Sequence, residues 1–256
     1  MRAACCEATV LRHEVIAEDI RLLTVLWPDR EHIPHAGQFF TLRAWGADEA
    51  PFLSRPISVH KWDAETQTVE FLYAVVGEGT RKLTALMPGD SFQLTGPMGN
   101  GFDVPEIVSK YKKIAVVGGG IGTAPMYQLT RELAAAGVKP DVFFGFRDTP
   151  YCMEEYRSIA NLVKVSTDTG AVGFHGFVTQ LYDPADYDVV LVCGPTVMMR
   201  NAARLCAEKG TPCFVSLEKK MACGIGACLG CTCETKGGEG KSVCKNGPVF
   251  DAAEVF

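Results

Sequence analysis

The sequence has no apolar run that approaches the ~20 residues needed to cross a membrane as a helix. Its N-terminal segment also lacks the continuous apolar core of a secretory signal peptide. It has no excess of basic residues, because 25 lysines and arginines are outnumbered by 30 aspartates and glutamates. These absences argue against a membrane protein, a secreted protein and a general nucleic-acid binder, and they predict a cytoplasmic location.

Cysteine, in contrast, is abundant and unevenly placed. The chain has 11 cysteines, an odd number, and five of them lie between positions 223 and 244. A reducing compartment disfavours a disulfide framework, so this crowding indicates a metal or a cluster. The spacing Cys223-x4-Cys228-x2-Cys231, with Cys244 further along, is that of plant-type ferredoxins, which carry a [2Fe–2S] cluster.

The spacing suits two bridged irons, because three thiolates can come from one tight loop and the fourth from a neighbouring element. Gly224, Gly226 and Gly230 give that loop its conformational freedom. A structural zinc site is the alternative, but zinc ligand pairs usually come from two separate knuckles. Cys233 is a second candidate for the third ligand; the ferredoxin spacing favours Cys231 and leaves Cys233 as a buried thiol.

The first hundred residues contain short segments of strand character separated by glycine and proline. Many short strands at this spacing predict an antiparallel barrel, with one helical stretch over Gly79–Leu86. The predicted strands are Ala8–Ala17, Ile20–Trp27, Gln38–Ala44, Arg55–Trp62, Thr68–Val76 and Ser91–Thr95.

The pattern changes near position 110, where apolar strands begin to alternate with helices. This alternation predicts a parallel sheet covered on both faces. The predicted strands are Lys112–Val117, Asp141–Phe146, Leu162–Ser166 and Val189–Cys193, and the predicted helices are Pro125–Ala136 and Thr196–Glu208. From about Ser216 onward no helical or strand periodicity is visible.

Three turns follow successive strands of this predicted sheet. The first is glycine-rich and opens a helix, where backbone N–H groups can bind a pyrophosphate. Gly118 and Gly120 fit the G-x-G-x-x-G fingerprint, but Thr123 takes its third place, so a purely structural turn is equally compatible. Thr167–Gly170 and Cys193–Pro195 also lie where the carboxyl ends of parallel strands form a ligand crevice, although their residue types favour ordinary turns too.

The barrel half carries three further candidate segments. Arg55–Ser58 begins a strand with an arginine suited to a diphosphate and a serine suited to the edge of a heterocycle. Gly77–Thr80 precedes the helical stretch and offers an anion-binding helix start. Gly96–Phe102 closes the barrel with a flexible loop. Each segment alone is as compatible with a structural role.

Taken together, the motifs stand in a distinctive order along nearly the whole chain. They are RPIS, GEGT, GPMGNGF, GGGIGTAPM, TDTG, CGPTVMM and MACGIGACLGC…C…NGPVF. In this order the sequence resembles the electron-transfer subunit of type 1B, NAD-dependent dihydroorotate dehydrogenase, a branch of the ferredoxin–NADP reductase superfamily. We therefore expect a multidomain β plus α/β fold: an antiparallel FAD-binding β-barrel (1–105), a parallel-sheet NAD-binding α/β domain (106–213) and a small C-terminal [2Fe–2S] domain (214–256).

The resemblance also implies specific contacts. Arg55 would lie on the FAD phosphates, Ser58 near the reactive flavin nitrogen and Cys193 near the nicotinamide, so Ser58 and Cys193 are the predicted catalytic residues. Ile57 stands where the wider superfamily usually has an aromatic residue, which supports the narrower assignment. The implied FAD-binding residues are Arg55, Pro56, Ile57, Ser58, Leu72, Tyr73, Ala74, Gly79 and Thr80; the implied NAD-binding residues are Gly119, Gly120, Ile121, Gly122, Thr123, Asp168, Cys193, Gly194 and Pro195; the implied cluster ligands are Cys223, Cys228, Cys231 and Cys244.

The resemblance finally implies an activity and a partner. The partner would be an FMN-containing catalytic subunit, in a heterotetramer with two copies of each subunit. Electrons from that subunit would pass through the cluster and FAD to NAD+ in pyrimidine biosynthesis. A flavin is required because it exchanges both hydrides and single electrons. Alternatives are a subunit of a bifurcating transhydrogenase or sulfhydrogenase-type complex, and a zinc-bound scaffold without activity. Arg147 and Asp148 could recognise a ribose phosphate or hydroxyl respectively, and the resemblance favours NAD.

Overall fold

The computed structural model describes residues 3–256, so the first two positions of the predicted barrel domain lie outside the described residues. The first part of the chain forms one seven-stranded sheet in which every neighbouring pair is antiparallel. Its strands are β1 (Ala4–Ala17), β2 (Ile20–Leu26), β3 (Phe39–Arg43), β4 (Arg55–Ser58), β5 (Lys61–Asp63), β6 (Thr68–Ala74) and β7 (Ser91–Met98), and the helix α1 (Glu78–Leu83) lies between β6 and β7. The antiparallel prediction is confirmed.

The sheet curls around an aromatic core. Phe40 packs edge-to-face against Trp27 on one side and Phe71 on the other, with ring centroids 4.9 and 5.5 Å apart. All three rings are fully buried, and aromatic side chains contribute some of the largest buried apolar areas in a protein. The strand order β4-β3-β7-β1-β2-β6-β5 places β4 and β5 at the two edges.

The segment predicted as one strand, Arg55–Trp62, is in fact split into β4 and β5. The N–H of Val59 donates to Gln38 beside β3, whereas the N–H of His60 donates to Glu70 on β6. Consecutive residues therefore bond to the β3 side and to the β6 side of the sheet, near the two ends of its strand order, and this crossing curls the sheet into a barrel. Sequence periodicity could not show it, because both halves of the segment have strand character.

The second part of the chain forms a sheet with helices on its faces. Its strands are β8 (Ile114–Gly119), β9 (Asp141–Phe146), β10 (Leu162–Thr167), β11 (Phe174–His175), β12 (Val189–Cys193) and β13 (Cys213–Ser216). Its helices are α2 (Val104–Lys110), α3 (Ala124–Ala135), α4 (Glu154–Arg157) and α5 (Thr196–Lys209), with 3-10 turns at Gly120–Thr123, Val178–Gln180 and Pro184–Asp186. All six strands pair in parallel with one another, which confirms the predicted parallel sheet, although β11 and β13 were not among the predicted strands.

The order of these strands creates a crevice. It runs β11-β10-β9-β8-β12-β13, so the chain reverses direction across the sheet between β8 and β12. Every residue of β8 and β12 is buried, which agrees with the continuous apolar runs of a sheet covered on both faces. Ligands of open α/β sheets bind outside the carboxyl ends of strands at such a reversal. Here those ends are Gly119 and Cys193.

The last forty residues are more regular than the sequence indicated. They contain β14 (Thr232–Glu234), β15 (Gly240–Ser242), α6 (Val243–Asn246), β16 (Val249–Asp251) and α7 (Ala252–Val255). β14 and β15 form a hairpin of their own, whereas β16 returns to pair antiparallel with β13. The predicted boundary between residues 213 and 214 therefore falls at the start of β13, a strand of the larger sheet. Within residues 3–256, no helix combines the length and apolar character that a membrane span needs.

Candidate functional site

One cavity of about 340 Å³ lies where the three parts of the chain meet. The barrel contributes the largest share of its lining, the glycine-rich turn and α3 contribute a second wall, and the segments around β13 and β16 contribute a third. The lining residues are Phe39, Arg55, Pro56, Ile57, Ser58, Leu72, Tyr73, Ala74, Val76 and Thr80; Ile121, Ala124 and Pro125; and Ser216, Leu217, Glu218, Lys219, Met221 and Pro248. Eight of the nine predicted FAD-binding residues are among them.

Arg55 presents an unused donor. Its Nε atom is buried and has no hydrogen-bond partner among residues 3–256. Gly79, the ninth predicted FAD residue, lies against this side chain, because a Cβ there would be 2.7 Å from Cδ of Arg55. Buried donors are seldom left unpaired, and an arginine suits an anionic diphosphate. The residues present therefore fit the diphosphate of FAD.

Thr80 also has a local structural role. Its hydroxyl accepts the N–H groups of Val76 and Gly77 and donates to the carbonyl of Gly77, each at 3.0 Å. These bonds fix the turn that opens α1, so the side chain is already occupied within the protein. We expect any contact from Thr80 to a diphosphate to come from its backbone N–H.

The glycine-rich turn packs closely against the loop after β12. A Cβ on Gly122 would lie 2.5 Å from Cα of Gly194 and 2.6 Å from the carbonyl oxygen of Cys193. Gly119 is similarly crowded by the sulfur of Met198. The fold thus brings two separately predicted NAD segments together at the switch point, and only glycine leaves room for that approach. Such exposed backbone suits a dinucleotide, whose pyrophosphate needs close access to N–H groups.

Cys193 lies at this crevice as a neutral thiol. Burial, reinforced by the nearby charge of Glu218, raises its pKa well above the ordinary value, despite a hydrogen bond with Ser216. The reactive form of cysteine is the thiolate, and these surroundings disfavour it. A contact between Cys193 and nicotinamide would therefore be a non-covalent packing and polar contact made by the neutral thiol.

Of the nine predicted NAD-binding residues, Ile121 lines the cavity, and the other eight lie outside its lining, around the carboxyl ends of the sheet strands. Asp168 is exposed in the loop after β10, and Pro195 directly precedes α5. Arg147 and Asp148 follow β9 and form an exposed ion pair with Nε and Oδ2 3.6 Å apart. Their positions agree with ribose recognition beyond the end of the second strand.

The four predicted cluster thiols form two pairs. The N–H of Cys228 donates to the sulfur of Cys223, and the N–H of Cys244 donates to the sulfur of Cys231, each at 3.4 Å. Within the part of the chain described, no three histidine, cysteine or carboxylate side chains converge closely enough to hold a single metal ion. Four thiols in two pairs match the donor set of a cluster with two irons.

Backbone N–H groups point at these sulfurs. Gly226 donates to the sulfur of Cys244 at 3.1 Å, and Cys244 donates to that of Cys231 at 3.4 Å. Burial opposes ionisation of Cys223, but the N–H groups of Cys228 and Ile225 outweigh it and lower its pKa to about 6. Cluster ligands must be thiolates, and N–H donors stabilise them. The loop therefore fits a [2Fe–2S] cluster.

Cys233 lies apart from this network. It is on β14, and its thiol donates to the carbonyl of Lys241, the residue opposite it on β15. The sulfur of Cys231, in contrast, accepts the N–H of Cys244, another predicted ligand, at 3.4 Å. The geometry therefore favours Cys231 over Cys233 as the third ligand.

Several lining residues of the cavity were not predicted. The largest group is Ser216–Lys219 with Met221, which follows β13 and connects the nucleotide sheet to the cluster loop. Pro248 comes from the other side of the cluster segment, and Phe39 from β3. Phe39 carries no polar signal, and the others depend on β13 and β16, neither of which was predicted.

The barrel, the switch-point crevice and the paired thiols define a class of protein: a flavin- and nicotinamide-dependent reductase of the ferredoxin–NADP reductase type with an iron–sulfur segment. Residues 218–256 match the family model described as the iron–sulfur cluster binding domain of dihydroorotate dehydrogenase B. The chain is similar over nearly its full length to a solved NADH-dependent reduced ferredoxin-NADP oxidoreductase, studied for flavin-based electron bifurcation. The TM-score is 0.86 at 28% identity, covering 97% of this chain and 89% of that one. A ferredoxin reductase of carbazole 1,9a-dioxygenase shares the fold, with a TM-score of 0.67 at 19% identity, covering 83% of this chain and 68% of that one.

Curated relatives give the narrower assignment. A protein of Clostridium acetobutylicum is 47% identical over 86% of this chain and 85% of its own length. A protein of Clostridium perfringens is 41% identical over 94% of this chain and 96% of its own. Both are named dihydroorotate dehydrogenase B (NAD(+)), electron transfer subunit. The chain belongs to this family of electron-transfer subunits, which confirms the resemblance found in the sequence.

Proposed function

We propose that this chain passes electrons from the catalytic subunit of an NAD-dependent dihydroorotate dehydrogenase to NAD+. The observation that carries the proposal is the shared cavity, whose three walls come from the barrel, the nucleotide sheet and the cluster segment. When bound, the cluster would carry single electrons and NAD would exchange hydride, and FAD would convert one kind of transfer into the other. The family's curated names support dihydroorotate as the ultimate reductant.

The chain's own residues have distinct tasks in this scheme. Arg55 holds the flavin diphosphate, and Ser58 and Ile57 border the ring from β4. The glycine-rich turn and the loop after β12 present backbone to the nicotinamide nucleotide. No residue of this chain acts on dihydroorotate, since that chemistry belongs to the partner subunit, with which we propose a heterotetramer containing two copies of each chain.

We further propose that the cluster loop, residues 224–230, contacts the catalytic subunit. Ile225 and Leu229 extend from it with 62% and 65% of their surfaces exposed, so the loop offers two apolar side chains to a partner. They sit directly beside the ligand thiols, so a partner covering them would bring its own redox group near the cluster.

We propose the cytoplasm as the location of this protein. All 11 cysteines are free, which is compatible with that reducing compartment.

The test is to purify the chain with its catalytic subunit and measure dihydroorotate-dependent reduction of NAD+. Ile225→Asp should abolish this activity but leave NADH oxidation by an artificial acceptor such as ferricyanide intact. Val15→Asp is the matched control, because Val15 is 70% exposed on β1 of the barrel. Loss of both activities in Ile225→Asp, or of neither, would contradict the docking proposal. Failure of the wild-type complex to couple dihydroorotate to NAD+ would refute the function.

A further inference from the structure

Two consecutive backbone carbonyls at the start of α3 are held by buried side chains. The carbonyl of Thr123 accepts the hydroxyl of Tyr156 at 2.8 Å, and that of Ala124 accepts Nδ1 of His60, also at 2.8 Å. Tyr156 comes from α4 in the nucleotide domain, whereas His60 comes from the barrel. The end of the glycine-rich turn is therefore fixed from both domains.

The two side chains are joined by a third aromatic ring. His60 stacks on Tyr127 with centroids 5.0 Å apart and an interplanar angle of 24°. Tyr127 meets Tyr156 edge-to-face at 5.2 Å. Because both outer rings are buried, the three rings form one rigid unit across the domain junction.

The protonation state of His60 follows from its surroundings. Burial, together with the nearby charges of Lys61 and Arg131, lowers its pKa to about 4, although the carbonyl of Ala124 favours the charged form. The ring is therefore neutral at physiological pH. A carbonyl oxygen only accepts hydrogen bonds, so the proton must be on Nδ1. His60 is thus a permanent donor to the carbonyl of Ala124.

This clamp lies next to the cavity described above. Ser58, two residues before His60, lines one wall, and Ala124 and Pro125 line the opposite wall. Three other hydrogen bonds join the barrel to α3: the N–H of Trp62 donates to Gln128 at 2.9 Å, Arg131 donates to the carbonyl of Trp62 at 2.7 Å, and the N–H of Ala36 donates to Glu132 at 2.9 Å. The bond from His60 differs from these because it ends on Ala124, a residue that itself lines the cavity. It therefore acts most directly on the separation between the flavin wall and the wall formed by the start of α3.

We propose that His60, supported by Tyr156, is a positioning residue for hydride transfer between nicotinamide and flavin. The proposal rests on the proposed function, since it requires that both cofactors bind at these walls. Hydride transfer needs donor and acceptor atoms about 3–3.5 Å apart, and a misplacement of about 1 Å can slow a reaction a hundredfold. Loss of one interdomain bond should therefore affect the rate of transfer more than nucleotide affinity.

The test uses the full chain with FAD and cluster bound and follows anaerobic reduction of the flavin by NADH in a stopped-flow instrument. His60→Ala should lower the limiting rate about tenfold and change the apparent Kd for NADH less than about threefold. Deuteration of the transferred hydride should then give a larger isotope effect than in the wild type. His60→Asn should restore most of the rate, because Nδ2 of asparagine can take the place of Nδ1 of histidine as donor.

A second pair of variants separates positioning from stability. Tyr156→Phe removes the other bond of the clamp and should slow reduction in the same sense. Tyr187→Phe is its matched control, since its hydroxyl donates to Asp141 at 2.9 Å in the same domain, away from the cavity. Both changes should lower the melting temperature, but only Tyr156→Phe should slow hydride transfer.

Each outcome decides the matter. Equal rates in His60→Ala and wild type, failure of His60→Asn to recover, or equal slowing in Tyr187→Phe would overturn the positioning role. If His60→Ala folds poorly, the comparison of Tyr156→Phe with Tyr187→Phe still decides it. If NADH fails to reduce the flavin of the wild type, the proposed function is wrong and this inference falls with it.

Discussion

Replacing Arg55 by glutamine tests the flavin site most directly. The substitution removes the guanidinium charge and its buried Nε donor, which has no partner among the residues that the structure describes. The space beside Gly79 already accommodates the arginine side chain, so the shorter glutamine should fit there without a clash. The guanidinium also donates from Nη2 to the carbonyl of Leu53, but this bond is exposed, so its loss should change the free energy of unfolding of the FAD-free protein little.

The magnitude follows from the kind of bond that is lost. A hydrogen bond to a charged group contributes about 1.5–3 kcal/mol. Since 1.4 kcal/mol is tenfold in an equilibrium constant, the Kd for FAD should rise about 10- to 150-fold. Arg55→Lys should recover only part of the loss, because an ammonium group lacks the planar geometry of a guanidinium.

The assay is titration of the FAD-free chain with FAD, followed by quenching of flavin fluorescence at fixed ionic strength. Arg12→Gln is the control, because this arginine is on the outer surface of β1 with its side chain 62% exposed. The cluster absorption should be unchanged in both variants. A change in the Kd of Arg55→Gln smaller than about threefold, or an equal change in Arg12→Gln, would refute the assignment of Arg55 to the diphosphate.

Two further predictions concern the cluster and the nucleotide crevice. Cys231→Ser should abolish the iron–sulfur absorption, whereas Cys233→Ser should retain this absorption and two irons per chain. The reason is that the thiol of Cys233 bonds only to Lys241 among the described residues. Iron analysis that gives the reverse result would identify Cys233 as the ligand. Gly122→Ala places a methyl group 2.5 Å from Gly194 and should raise the Kd for NADH with FAD still bound, at an overpacking cost of about 1–3 kcal/mol. Gly237→Ala, whose nearest neighbour atom would be 3.8 Å away, is its control, and equal NADH affinity in the two variants would contradict the crevice.

Local chemistry made much of this protein predictable. The cluster loop could be predicted because three of its ligands, from Cys223 to Cys231, lie within one short segment whose spacing can be read directly from the sequence. The turn around Gly120 is visible because its neighbours are a fully apolar strand and a helix start. α2 was missed although its signal was present: Asp103 accepts the N–H of Glu106, and Pro105 lies in the first helical turn.

The third wall of the cavity was beyond local reasoning. β16 is three residues long, and it is a strand only because it pairs with β13, more than thirty residues earlier in the chain. His60 likewise gives no sequence signal, since a lone histidine after a strand is compatible with many roles. Its significance comes from the carbonyl of Ala124, 64 residues away. Long-range pairing of this kind leaves no periodic trace in a single sequence.

The cluster segment is built into the other two domains, and this bears on how electrons reach the flavin. Its β16 completes the nucleotide sheet, and the side chain of Asn100, beyond the last barrel strand, donates to the carbonyls of Lys245 and Asn246. Gly224, beside the first ligand, lies against Met98 of β7. A segment held on both sides cannot swing toward a partner without breaking a sheet and these bonds. This anchoring favours a cluster that works from a fixed place, and it supports the proposal that the partner docks on the exposed face of the loop.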